Sequence, residues 1–150
     1  MWFSTKIKAV KVQENGLEKT VTEQYLVDAV NFADAESSII KKTEPFYNED
    51  FAVVDIRPYK VSEIIFSEAD SDDTFFLCKM CSITLDEKSG VEKKSYFNIL
   101  VQSSDINKAQ ISLKSYLSST MAEYVVDTVK ETKIICVYPY EGEDKKEEQK

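Results

Sequence analysis

Gly16-Leu17-Glu18-Lys19 recurs as Gly90-Val91-Glu92-Lys93, 74 positions further along the chain. Upstream of this pair a shift of 73 lays Trp2-Phe3 on Phe75-Phe76, Lys6-Ile7 on Lys79-Met80, and Val10 and Val12 on Ile83 and Leu85. Downstream a shift of 74 lays Leu26-Val27 on Leu100-Val101, Phe32 on Ile106 and Ala35 on Ala109. After small deletions, Glu63-Ile64-Ile65 resembles Lys133-Ile134-Ile135. Apolar character and order persist through the whole unit, so the chain reads as a tandem duplication.

Each copy reads as a ββαββ unit. Residues 2–12 and 75–85 are β-branched, aromatic and lysine-rich, which predicts strands. Glu14-Asn15-Gly16 and Lys88-Ser89-Gly90 are turn signals, because glycine supplies the positive φ of a tight hairpin. Second strands follow near 19–30 and 93–103. Asn31 and Asp105 are N-cap residues, since a short side-chain oxygen bonds the free N–H groups of the first turn. Phe32, Ala35 and Ile39 line one helical face, as do Ile106, Ala109, Leu113, Tyr116 and Leu117. Pro45 stops the first helix. Phe51–Ile56 with Tyr59–Phe66, and Tyr124–Val129 with Lys133–Tyr138, complete the copies as strands. The expected fold is α+β: two copies with one helix each across antiparallel sheets, joined as an intramolecular pseudo-dimer. A single domain is expected over 1–140, with repeat 1 at about 1–66, an acidic linker at 67–74 and repeat 2 at about 75–140. A charged disordered tail is expected at 141–150.

Composition narrows the function classes. Hydrophobic residues make up 43 % of the 150, enough for a core and too many for disorder. No apolar run approaches the roughly 20 residues of a membrane helix, and the opening Met1-Trp2-Phe3-Ser4-Thr5-Lys6 lacks a signal-peptide layout. A cytoplasmic protein with no membrane partner is expected. Three cysteines without framework spacing fit a reducing compartment. The net charge is −8. Glu68, Asp70, Asp72 and Asp73 carry half of it and the tail from Glu141 much of the rest, so a broad basic face for nucleic acid is not expected.

Histidine is absent, which removes the commonest general base and metal ligand and any ordinary nucleophile triad. Three glycines leave no Gly-x-Gly-x-x-Gly or Walker loop. Cys78-Lys79-Met80-Cys81 is a C-x-x-C, but with Cys136 it supplies three of the four ligands of structural zinc. In a strand its two thiols point to opposite faces. Asp28, Glu36, Asp55 and Glu63 lie in or beside apolar elements, where solvation or capping explains them as well as acid–base chemistry. Neither a cofactor nor a metal is expected. A carboxylate- or metal-dependent enzyme is the least supported class.

Aromatic pairs open equivalent strands and lysines follow them. Trp2, Lys6 and Tyr25 in the first copy, with Phe75 and Lys79 in the second, are the candidate ligand-binding residues, because aromatic platforms beside lysines hold bases and nucleotides by stacking and charge. The competing reading is core packing for the aromatics and solvation for the lysines.

Glu18–Ala29, Phe32-Ala33-Asp34-Ala35-Glu36, Val54-Asp55-Ile56, Ser62-Glu63-Ile64, Ile83–Gly90 and Val137-Tyr138-Pro139-Tyr140, with the opening Trp2-Phe3, give a further signal. Together they resemble a domain-of-unknown-function family of proteins of this length from Bacteroides-type bacteria and their phages. The resemblance covers residues 2–140. It implies a cytoplasmic protein of a phage or mobile-element neighbourhood and carries no catalytic residues. The expected function is therefore a non-enzymatic binding protein for a small anionic or nucleotide ligand, in one version sequestering a host defence signal, or for a protein partner. The alternative is a single-stranded nucleic-acid-binding accessory protein. Homo-oligomerisation is left open.

Overall fold

The computed structural model describes residues 1–47, 50–119 and 123–140. The strands are β1 Trp2–Val12, β2 Glu18–Asp28, β3 Phe51–Pro58, β4 Glu63–Ile65, β5 Thr74–Leu85, β6 Glu92–Ser103, β7 Tyr124–Glu131 and β8 Ile134–Tyr138; the helices are α1 Phe32–Thr43 and α2 Ile106–Ser118. A single 3-10 turn, Glu44–Phe46, follows α1 with Pro45 in it. The elements repeat in order as the duplication predicts.

The turns explain the change of offset. Gly16 and Gly90 have φ of +82° and +71°, and each hairpin is closed by a backbone bond, Gln13 N–H to Leu17 O and Asp86 N–H to Val91 O. Between these landmarks the first copy has Glu14-Asn15 and the second Glu87-Lys88-Ser89. The extra residue sits in the turn, so neither strand pair loses register. Both helices are capped as expected: Asn31 Oδ1 accepts from Asp34 N–H and Asp105 Oδ1 from Lys108 N–H, each at 2.8 Å. Ala35 and Ile39 of α1, and Ala109 and Leu113 of α2, are buried. Phe32, expected on the buried face, is 53 % exposed. At the first helical position it reaches the rim and touches Phe3 edge-on, ring centroids 5.1 Å apart.

The chain forms two compact units, and they do not follow the sequence repeat. One comprises Met1–Tyr59 and the chain from Ile134; the other comprises Lys60–Lys133. The first unit's sheet has the order β3-β1-β2-β8, the second's β4-β6-β5-β7. The last strand of each repeat thus belongs to the other repeat's sheet. β8 runs parallel to β2 and β4 parallel to β6, so the sheets are mixed rather than purely antiparallel. A physical reason is the short connection. From β3, beside β1, the far edge of β2 in the same sheet is a crossover away, and such crossovers need a dozen or more residues.

The exchange also corrects the repeat alignment. β4 sets Glu63, Ile64 and Ile65 beside Ile99, Leu100 and Val101. β8 sets Cys136, Val137 and Tyr138 beside Tyr25, Leu26 and Val27. Tyr25–Val27 are the equivalents of Ile99–Val101, so Glu63–Ile65 corresponds to Cys136–Tyr138, not to Lys133–Ile135. The isoleucines at 134 and 135 match by composition alone. The bulges agree with the duplication: β1 slips against β3 between Lys6 and Ile7, and β5 against β7 between Lys79 and Met80.

Inside the first unit, Ile7, Ala9, Tyr25, Ile39 and Tyr47 pack with Phe51, Val53, Cys136 and Tyr138, beside Phe3, Val27, Ala29 and Ala35. Inside the second, Phe76, Cys78, Met80, Ile99, Val101, Ala109 and Leu113 form the core. Each large apolar side chain so buried contributes roughly 1.5–3 kcal/mol. The acidic segment is not a bare linker. Ser67 N–H donates to Gln102 Oε1, Gln102 Nε2 donates to Asp72 O at 2.7 Å, and the Ser67 hydroxyl donates to the Asp72 carboxylate. Thr74 already belongs to β5. The tail 141–150, expected to be disordered, lies outside the described residues. Among the described residues no helix is long and apolar enough to cross a membrane.

Candidate functional site

The five residues singled out from the sequence divide between the two units. In β1, Phe3, Ile7 and Ala9 face the α1-side core, so strand alternation turns Trp2 and Lys6 to the opposite face. Tyr25 pairs with Thr5 and is 3 % exposed within the core. In the second unit Phe75 is also 3 % exposed, whereas Lys79 lies on the surface with its Nζ 4.9 Å from the Tyr96 ring and 3.9 Å from Asp127. The position of Tyr96 is Thr22 in the first copy, so the aromatic–lysine patch is not duplicated. Cys78 lies in the α2-side core, and Cys81, three residues on, points to the other face. Burial pushes the Cys78 thiol up to about 11. Asp28 accepts from the Met1 amine at 2.8 Å and Asp55 from Arg57 at 3.1 Å. Among the described residues no three acidic, cysteine or histidine side chains gather as a metal site.

The copies diverge most in chemistry at the core of the first unit. Tyr47 has one phenolic proton, and its Oη donates to Glu23 Oε1 at 2.9 Å. The 2.9 Å contact between the Tyr25 and Tyr47 hydroxyls therefore has Tyr25 as donor. Lys11 Nζ closes the line on Glu23 Oε1 at 2.9 Å. Burial raises the Tyr47 phenol well above its usual range, and its bonds to Tyr25 and Glu23 raise it further. Tyr25 is raised by burial as well. Both phenols stay neutral and donate. On its other side Tyr25 stacks with Tyr138, centroids 6.1 Å apart, and Lys42 Nζ lies 5.9 Å from the Tyr138 ring centre. Burial, then Cys136, raises Tyr138. In the second unit the positions of Glu23, Tyr25 and Tyr138 hold Phe97, Ile99 and Ile65, an apolar core.

Tyr138 opens onto a pocket. Val27 and Asp28 at the end of β2, Asp34, Ser38, Lys41 and Lys42 along one face of α1, and Tyr138, Pro139 and Tyr140 after β8 enclose about 200 Å³. The i, i+4, i+7, i+8 spacing brings 34, 38, 41 and 42 onto that face. The acceptors here are already engaged: Asp28 by the Met1 amine, and Asp34 Oδ2 by Val30 N–H. The donors are less so. The side chains of Ser38, Lys41 and Tyr140 make no hydrogen bond or ion pair among the described residues. A pocket with engaged carboxylates and available N–H and O–H donors suits an anion. Sequence reasoning singled out Tyr25, which stacks behind Tyr138 and does not line the pocket, and did not single out Lys41, Lys42, Tyr138 or Tyr140. The signal was present in the lysine pair ending α1 and in Tyr138-Pro139-Tyr140, but the strand exchange that joins them was not.

Residues 1–140 match the family model described as a domain of unknown function, DUF4494, and the chain belongs to that family. No curated protein and no solved structure matches it.

Proposed function

We propose that this protein is a non-enzymatic binding protein that takes a small anionic ligand into the pocket between α1 and the end of β8. The observation that carries the reading is the imbalance of partners there: Asp28 and Asp34 are engaged within the chain, while Ser38, Lys41 and Tyr140 are not. Lys41 and Lys42 on the helix wall supply the charge that holds an anion. The family resemblance extends the proposal to a cytoplasmic protein of phage or mobile-element origin, whose ligand includes nucleotide signals of host defence. Thermal-shift measurements with inorganic phosphate, small carboxylates and nucleotides test it. A concentration-dependent stabilisation by some of these anions, lost in Lys41→Ala, is expected; no stabilisation by any of them would overturn it.

A second reading rests on Tyr96, which is 56 % exposed with Lys79 beside it. Stacking plus charge on that strand face would hold single-stranded nucleic acid. The net charge of −8 opposes it. A low-salt gel shift with single strands, abolished by Tyr96→Ala, would support it, and an empty gel would dismiss it.

A further inference from the structure

We infer the ligand's class: a planar ring bearing one compact anionic group, no larger than a nucleoside monophosphate, bound once per chain. The inference rests on the proposed anion pocket and adds its size, shape and number.

Size follows from the cavity. At about 200 Å³ it is smaller than the roughly 300–1,000 Å³ clefts that enclose drug-sized ligands. One ring and one anionic group fill it; a cyclic dinucleotide, with two of each, would leave half of itself outside. Shape follows from the walls. Tyr138 and Tyr140 line the pocket with Pro139 between them, and Lys41 and Lys42 stand on the helix side of it. The Tyr138 ring is braced by the Tyr25 ring, whose hydroxyl is tied through Tyr47 to Glu23. A wall held at two points keeps its orientation before the ligand arrives, which lowers the ordering cost of binding. Lys42 already lies over that ring, so the cationic and aromatic elements of recognition are adjacent.

Number follows from the divergence of the repeat. The positions equivalent to Lys41, Lys42, Tyr138 and Tyr140 are Ser115, Tyr116, Ile65 and Ser67 in the second unit. Ser67 there bonds to Asp72 and Gln102, so the chain's own linker occupies that corner. Among the described residues, the positions that make this pocket basic and aromatic are so in the first unit and not in the second.

Isothermal titration of the full chain tests the class with four probes: inorganic phosphate, adenosine monophosphate, uridine monophosphate and a cyclic dinucleotide. At least one monophosphate is expected to bind with one site per chain and at least about tenfold more tightly than phosphate. Tyr140→Ala is expected to remove that advantage, with a loss of phosphate binding smaller than Lys41→Ala causes; Lys41→Ala is expected to weaken phosphate and monophosphate alike about tenfold or more. Lys114→Ala, on the second unit's helix, serves as the control and leaves binding unchanged. Equal affinity for phosphate and the monophosphates overturns the ring requirement but leaves the anion pocket standing. Tighter binding of the cyclic dinucleotide, or two sites per chain, overturns the size or the number. Silence from all four probes overturns the class and the anion pocket together.

Discussion

The ring of Tyr138 stacks on that of Tyr25, centroids 6.1 Å apart and planes 24° from parallel. Tyr25 arrives on the middle of β2 and Tyr138 on the last strand of the other repeat, so strand exchange brings this pair into one core. The same exchange in the second unit brings Ile65 beside Val101 and yields only apolar packing. One topology thus produced a polar, aromatic core in one unit and a plain one in the other.

The direction of the buried chain predicts unequal costs. Tyr47→Phe strands the Tyr25 proton in the core and removes a donor from Glu23, for about 1–3 kcal/mol. Tyr25→Phe leaves Tyr47 bonded to Glu23 and costs about 0.5–1.5 kcal/mol. Urea melts of both variants check this, and a Tyr25→Phe loss equal to or above that of Tyr47→Phe contradicts the donor order.

Burial holds the Cys78 thiol at about 11 against 9.0 for a free thiol. The native state keeps this proton where the unfolded chain releases it. The contribution is whole below pH 9 and is lost as pH rises through 11, an effect of about 3 kcal/mol. Cys78→Ala is less stable than wild type near neutral pH because it leaves a cavity. That difference is expected to shrink by about 3 kcal/mol over this interval in urea melts. A difference that does not change with pH contradicts the burial of the thiol.

Asn31 and Asp105 make the same 2.8 Å cap bond in the two units. Replacing either by alanine is expected to cost about 1 kcal/mol. Chemical denaturation checks both variants, and a neutral result at either position contradicts the cap.

Gly16 and Gly90 sit at positive φ with nothing within 4 Å of an added Cβ. Alanine at either position strains the backbone without a clash and is expected to cost about 1 kcal/mol. Unchanged stability would contradict the left-handed turn.

The fold was largely legible because the duplication showed every element twice. Glycine turns, capped helices and period-two strands then marked each one. Two things were not legible. The exchange of β4 and β8 depends on which sheet edge a short strand meets, and Glu63-Ile64-Ile65 carries no local mark of its partner. The recurrence of aromatic and lysine types points to equivalent patches, one of Trp2, Lys6 and Tyr25 and one of Phe75 and Lys79. Tyr25 and Phe75 are instead buried, and the pocket draws on Lys41 and Tyr140, which are about a hundred residues apart and meet only through β8.

The most direct test is amide chemical-shift mapping of the full chain as adenosine or uridine monophosphate is added. The anion pocket predicts saturable shifts centred on Ser38, Lys41 and Tyr140, with the strand surface around Lys79 and Tyr96 unmoved. Shifts centred on Lys79 and Tyr96, with Ser38 and Lys41 silent, would contradict it.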